Sequence, residues 1–181
     1  MIPNLEKAKE ILNKYVKKDE SLRHNFEVGK AMKALAEYYK EDVEYWQAIG
    51  LLHDIDIEKF NGDINEHCIV GERILQEEGI DQEFIDIIKS HNDAICCERD
   101  SKIKHCLYSA DGLTGLIHAY VLMRPDKDIQ QAKVKSVKKK FKDKTFAKGV
   151  SREVISKAQE TLGIELGEFI EIVLEGMKKD L

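Results

Sequence analysis

Apolar residues recur every three or four positions along most of the chain, the spacing that places side chains on one face of an α-helix. This pattern predicts helices over about 3–17, 43–54, 65–78, 101–123 and 129–140, among others. Alternation of apolar and polar residues, which would indicate a strand, never extends beyond a few positions. Only two prolines interrupt the chain. The sequence therefore predicts an all-α fold.

The length of 181 residues suits one domain with a core of ordinary size. We expect a helical bundle over about residues 20–125 and a helical extension over 126–181, with closing helices near 151–162 and 165–178. No low-complexity linker separates these parts. We therefore interpret residues 1–181 as a single domain.

The net charge and the pattern of apolar residues predict the binding partners and the cellular compartment. No apolar run approaches the roughly 20 residues that cross a bilayer, and the N-terminus lacks the features of a signal peptide. We expect a cytoplasmic protein without membrane contact. A net charge of −5 makes a nucleic-acid partner unlikely in electrostatic terms. The four cysteines lack zinc-ribbon spacing and are predicted to be reduced thiols.

Ionisable residues stand among apolar neighbours on the predicted inward faces of five helices. Buried positions rarely hold such groups unless the groups are paired or bind metal. One histidine of this kind would more often be an ordinary core residue. Several that converge in one bundle favour a metal site. The set is His24, His53, Asp54, His67, His91 and Asp111.

These residues match a known pattern. The sequence resembles the HD superfamily of metal-dependent phosphohydrolases, whose signature is a histidine, a later His-Asp dipeptide at a helix end, and a still later aspartate. The flanking residues match as well, over about residues 20–125. The resemblance implies an HD-type helical bundle in which the signature residues bind a divalent metal. The matching segments are His24, Leu51-Leu52-His53-Asp54-Ile55 and Tyr108-Ser109-Ala110-Asp111.

Two further histidines bear on the number of metals. In some branches of the superfamily, extra histidines between the dipeptide and the last aspartate bind a second ion. His67 and His91 stand at the corresponding places, which implies that Asp54 bridges two ions. This is similar to the branch that includes the bacterial symmetrical diadenosine tetraphosphate hydrolases. The alternative is one metal, with His67 and His91 contacting substrate phosphate.

The ligand chemistry narrows the choice of metal. Mixed imidazole and carboxylate ligands suit iron, manganese, cobalt, nickel or zinc better than calcium. A divalent ion lowers the pKa of bound water, so that hydroxide exists near neutral pH. The resemblance therefore places catalysis at Asp54 and His53, with water as the nucleophile.

The residues after the dipeptide depart from the family pattern. Many members, the HDIG type, read His-Asp-Ile-Gly-Lys, whereas here Asp56 replaces the glycine and Ile57 replaces the lysine. A lysine at that place would contact phosphate. Lys59 is a candidate substitute, and a solvated surface lysine is the alternative interpretation.

Residues 133–144 are rich in lysine. The simplest interpretation is a solvated helix face. The alternative is a wall that attracts phosphate beside the metal cleft, because local positive charge steers anionic substrates. A third interpretation is contact with RNA or membrane. The candidate cations of such a wall are Arg124, Lys135, Lys139 and Lys142.

The resemblance thus predicts a hydrolase whose small phosphorylated substrate is a phosphomonoester, a nucleotide or a phosphoanhydride. Two alternatives keep the same ligands. Some branches of the superfamily use a mixed-valent di-iron centre as an oxygenase. A non-catalytic module could also use the site to sense a nucleotide.

Overall fold

A computed structural model describes residues 1–95 and 97–179. Within these ranges the chain forms nine α-helices, one short 3-10 turn and no strand, which confirms the predicted all-α fold. The helices are α1 (Leu5–Tyr15), α2 (Asp19–Tyr39), α3 (Val43–Leu52), α4 (Ile69–Glu77), α5 (Gln82–Lys89), α6 (Lys102–Met123), α7 (Val134–Lys142), α8 (Arg152–Leu162) and α9 (Leu166–Lys178), and the 3-10 turn covers Ile129–Gln131.

The centre of the fold is the crossing of α2 and α3, where two glycines let the backbones touch. A Cβ atom on Gly50 would lie 2.7 Å from the carbonyl oxygen of Val28 and 2.8 Å from the Cα of Gly29. Leu51 and Leu52 on α3 are fully buried beside this contact. The crossing fixes the relative positions of His24 and the end of α3.

The two C-terminal helices pack on α2 and α6. α9 lies along α2, and α8 lies along α6. Phe169 and Val173 of α9 are fully buried. The predicted C-terminal extension therefore contributes to the same core as the bundle. The boundary between the two at residue 125 stays a prediction.

Two predicted helices have different bounds. The helix predicted from residue 65 begins at Ile69, because Cys68 adopts a left-handed backbone conformation with φ 67°. The helix predicted near 129–140 is the 3-10 turn followed by α7, with Ala132 buried and extended between them.

Other expectations concern membranes and thiols. Among the described helices, none is both long enough and apolar enough to cross a bilayer. Cys68 and Cys106 are buried free thiols, as predicted. Cys96 lies outside the described residues.

The glycine crossing generates a stability prediction. We expect Gly50→Ala to lower the free energy of unfolding by at least about 2 kcal/mol, because the added methyl group meets backbone atoms that cannot move aside. Gly115→Ala in α6 is the matched control, since its Cβ would approach nothing closer than 3.9 Å outside its own helix. We expect the control to be neutral or slightly stabilising. Urea denaturation measures both, and equal effects would contradict the prediction.

Candidate metal centre

All six predicted ligands lie together where the helices meet. His24 lies on α2, Asp111 lies on α6, and His53 follows the last residue of α3. Asp54, His67 and His91 stand in turns beside helix ends. The sequence pattern predicted that all six lie on helix faces. Asp54, His67 and His91 lie in turns instead, and from there their side chains reach the other ligands.

The first half of the cluster surrounds one oxygen of Asp54. The Nε2 atoms of His24 and His53 lie 3.7 and 3.6 Å from Asp54 Oδ2. Asp111 completes this half, with its Oδ1 3.0 Å from His24 Nε2. The Nε2 atoms of His24 and His53 are 3.3 Å apart.

The second half surrounds the other oxygen of the same carboxylate. The Nε2 atoms of His67 and His91 each lie 3.3 Å from Asp54 Oδ1. These two nitrogens are only 3.0 Å apart. One carboxylate thus stands between two groups of nitrogen and oxygen donors.

Three of the histidines are oriented by hydrogen bonds on the far side of the ring. The Nδ1–H of His53 donates to the Gly50 carbonyl oxygen at 2.8 Å, and that of His91 donates to the Ile88 carbonyl oxygen at 2.6 Å. His67 Nδ1 lies 2.9 Å from a carboxylate oxygen of Asp56. Because these acceptors cannot donate, Nδ1 of each ring carries a proton, and Nε2 is the nitrogen that can bind a metal. Metal-binding histidines commonly show this arrangement.

The donor set fits a divalent transition metal. Neutral His67 and His91 rings would oppose their lone pairs at 3.0 Å, which is unfavourable without a proton or cation between them. Imidazole nitrogens bind zinc at about 2.0–2.1 Å, so two nitrogens on one ion lie roughly 3 Å apart. The residues present therefore match the ligands that such an ion prefers.

Without an ion, the cluster is held by charge. Burial lowers the pKa of His24, but the hydrogen bond and charge of Asp111 outweigh it and raise that pKa to about 9. Burial also lowers the pKa of His67, but the hydrogen bond to Asp56 raises it to about 10. Burial raises the pKa of Asp111, and the neighbouring His24 and His53 hold it well below the ordinary value.

Asp56, the residue that departs from the family pattern, is fully buried and supports the cluster. Its Oδ2 accepts hydrogen bonds from the backbone N–H groups of Cys68 at 2.7 Å and Gly71 at 2.9 Å, while Oδ1 accepts from His67. It therefore caps the start of α4 and orients a ligand. Sequence reasoning missed this role, although a carboxylate between Ile55 and Ile57 was a sign of a buried group with partners.

The thiol of Cys68 lies beside two of the ligands. Its Sγ is 3.8 Å from His91 Nδ1, the ring nitrogen that faces away from Asp54. His67, Cys68 and His91 together offer three donor atoms within 4.8 Å of one another, so the thiol is a further donor that could hold a metal ion.

A cavity of about 720 Å³ opens beside the ligands. His24, His67, His91 and Asp111 line one end of it. The side chains of His24 and Asp111 are 27% and 33% exposed, whereas that of His53 is fully buried. A substrate would therefore approach the centre from the side of His24 and Asp111.

The opposite wall of the cavity comes from a segment that sequence reasoning did not select. Gly149, Val150, Ser151 and Val154 line it, at the start of α8. No local motif marks these residues, because their place depends on how α8 packs along α6.

One guanidinium organises the loop before this wall. Arg152 donates hydrogen bonds to five backbone carbonyl oxygens, including those of Ala147 at 2.6 Å and Val150 at 2.8 Å. The other three acceptors are the carbonyl oxygens of Phe141, Asp143 and Phe146.

The predicted phosphate-binding cations are not among the residues that line the cavity. Lys59 Nζ lies 5.8 Å from the centre of the Tyr15 ring. Arg124 pairs with Asp126 at the end of α6, about 20 Å along the helix from Asp111 at 1.5 Å per residue. A separate surface depression is lined by three of the predicted lysines, Lys135, Lys139 and Lys142, together with Val134 and Lys138.

Comparison with known proteins agrees with this geometry. The model of the HD domain family matches residues 21–116, more than half of the chain, and this chain belongs to that family. All six ligands lie within the match. HD domains bind divalent metals, and the His/Asp cluster found here could hold metal.

Among curated proteins, a tRNA (cytidine(56)-2'-O)-methyltransferase from Thermoplasma volcanium is 32% identical over 91 residues. This match spans 50% of the present chain and 26% of that protein. No solved structure matches the chain. The similarity therefore concerns about a quarter of the methyltransferase.

The role of Asp56 can be tested with Asp56→Asn. The amide oxygen can keep the bonds to the backbone of α4, but the amide nitrogen would then donate to His67 Nδ1 and move the ring proton to Nε2. We expect metal affinity to fall about 10- to 100-fold. Titration of metal into metal-free protein, monitored by calorimetry, measures the affinity. Asp63→Asn, in the neighbouring exposed turn, is the control. Unchanged affinity would contradict the role.

The raised histidine pKa values predict how stability depends on pH. The pKa values of His24 and His67 in the folded protein, about 9 and about 10, exceed the ordinary 6.5. Their stabilisation is therefore complete below about pH 6.5 and is lost as pH rises through 9 to 10. We expect metal-free protein to unfold at lower urea concentration over this range, and His24→Asn to show a weaker dependence. An identical pH dependence in both proteins would contradict the assignment.

Proposed function

We propose that this chain is a metal-dependent phosphohydrolase that binds two divalent transition metal ions and cleaves a phosphomonoester, nucleotide or phosphoanhydride. The observation that carries the proposal is the position of Asp54. Its two oxygens face separate groups of donors, and the cluster borders a cavity large enough for an organic substrate.

A pair of bound divalent ions would supply an activated water and would neutralise the charge of the phosphate. The chain supplies the rest. The Nδ1 hydrogen bonds of His53, His67 and His91 fix the rings before any substrate arrives, so the ligands need no reorganisation. Asp54 and His53 serve catalysis by holding the reacting centre in place.

Exposure of the ligands sets where the phosphate binds. His53 has no exposed side-chain surface, so it acts as a ligand and does not contact substrate. His24 and Asp111 border the cavity and are partly exposed. The phosphate is therefore held at the edge that these two residues form.

The methyltransferase relative does not change this proposal. Its name describes methyl transfer to a tRNA cytidine, and the match covers about a quarter of its length. The proposal rests on the ligand cluster and not on this match. Methyl transfer is not proposed for this chain.

The decisive experiment compares wild type, Asp54→Ala and the control Asp19→Ala, an exposed carboxylate in the first turn of α2. We expect wild type and control to bind about two metal ions and to hydrolyse an aryl phosphate. Asp54→Ala should lose both metal and activity, because it removes the carboxylate between the two donor groups.

Other outcomes would contradict the proposal. Activity that survives in Asp54→Ala would exclude this centre as the catalyst. Metal-loaded protein without turnover across phosphoesters and nucleotides would exclude hydrolysis. Oxygen consumption that depends on iron would instead support an oxygenase, and nucleotide binding without turnover would support a sensing module.

A further inference from the structure

The cavity beside the metal centre has two chemically different ends. The ligands His24, His67, His91 and Asp111 line one end. The remaining lining is neutral or acidic and comes mainly from α6 and from the segment that begins α8. A volume of about 720 Å³ lies within the range of roughly 300–1,000 Å³ that holds drug-sized ligands. The cavity therefore has room for much more than a phosphate.

On the α6 side, two glycines line the cavity together with Tyr108 and Asp111. Gly112 and Gly115 follow Asp111 by one and four residues, and both line the cavity. A Cβ on Gly112 would lie 3.6 Å from Ile155, and one on Gly115 would lie 3.9 Å from Val150, which are ordinary contacts. Crowding by neighbours therefore does not require these glycines, although each weakens a helix by up to about 1 kcal/mol relative to alanine. At Gly115, where a single atom lies within 4 Å of such a Cβ, the missing side chain leaves space beside the helix.

The charges around the cavity limit the substrate. Among the described lining residues there is no lysine and no arginine. The rim instead carries Asp93, which accepts hydrogen bonds of 2.6 Å from Tyr108 Oη and from Arg99 Nη2. Asp93 and Arg99 therefore form an ion pair at the rim.

Neither of the two cations nearest to this rim lines the cavity. Arg99 stacks 3.6 Å from the centre of the Tyr108 ring and is already paired with Asp93. Lys157 Nζ lies 5.6 Å from the same ring and is not part of the lining. A second or third phosphate in the cavity would meet a carboxylate and no lining cation. A hydroxyl or amine donor would find an acceptor in Asp93.

Resting on the proposed function, we propose that the substrate is a phosphomonoester with a single phosphate and a neutral, ring-containing alcohol of about nucleoside size. The phosphate lies at the edge formed by His24 and Asp111. The alcohol lies beside Gly115 and faces Val154. Its donor groups reach Asp93.

The test fills the cavity from the helix side with Gly115→Leu. The matched control is Gly167→Leu, a helical glycine in α9 whose Cβ would meet only the flexible end of Lys138. Val154→Phe fills the cavity from the opposite wall, so the test does not depend on one variant folding. Three substrates are compared on metal-loaded protein: a nucleoside monophosphate, ethyl phosphate and a nucleoside triphosphate. Calorimetry with the nucleoside alone gives a readout that does not need turnover.

We expect wild type and Gly167→Leu to show kcat/KM at least about tenfold higher for the monophosphate than for the triphosphate. Gly115→Leu and Val154→Phe should lower the ratio of kcat/KM for the nucleoside monophosphate to that for ethyl phosphate by at least about tenfold. Both variants should weaken nucleoside binding by a similar factor.

Three results would overturn the inference: preference for the triphosphate, equal losses for the large and small monoesters, or no nucleoside binding by wild type. Failure of the proposed function has a different signature. In that case no phosphoester is cleaved, and calorimetry alone decides whether the cavity holds the nucleoside.

Discussion

The backbone contact between α2 and α3 at Gly29 and Gly50 is the constraint on which the rest of the molecule depends. It brings the helix that carries His24 against the end of the helix that carries His53. The Nδ1–H of His53 then donates to the carbonyl oxygen of Gly50 itself. One residue thus sets both the distance between two helices and the orientation of a ligand ring, so packing and chemistry at this crossing cannot change independently.

Inside the cluster, too, single groups serve more than one partner. Asp54 faces four histidines with its two oxygens, and Asp56 serves a ligand and a helix start with its own two. Both carboxylates are buried, where an unpaired charge is costly, and every oxygen has a partner. The histidine rings are therefore positioned by groups that the fold must satisfy in any case.

Much of the centre could be predicted from the sequence, because helical periodicity and the His-Asp signature are local patterns. The six ligands came from these patterns, and the structure brings them together. For Asp56, the sequence showed only a departure from the family motif. Its role could not be predicted, because its partners, the backbone N–H groups of Cys68 and Gly71, lie more than ten residues later in the chain. The lysines of α7 were assigned by charge alone, but charge does not reveal which face of a helix packs inward. The cavity wall at Val150 depends on packing between α6 and α8, which no local pattern encodes.

The hydrogen bonds of Arg152 have a consequence for how this protein can diverge. The guanidinium binds carbonyl oxygens, which every residue supplies, so it fixes the path of residues 141–150 without using their side chains. Substitutions at loop positions that do not pack on the core, as Phe141, Phe146 and Val150 do, can therefore change the surface of the loop while the loop keeps its course. Such changes leave the His/Asp cluster in place, provided that position 152 stays an arginine.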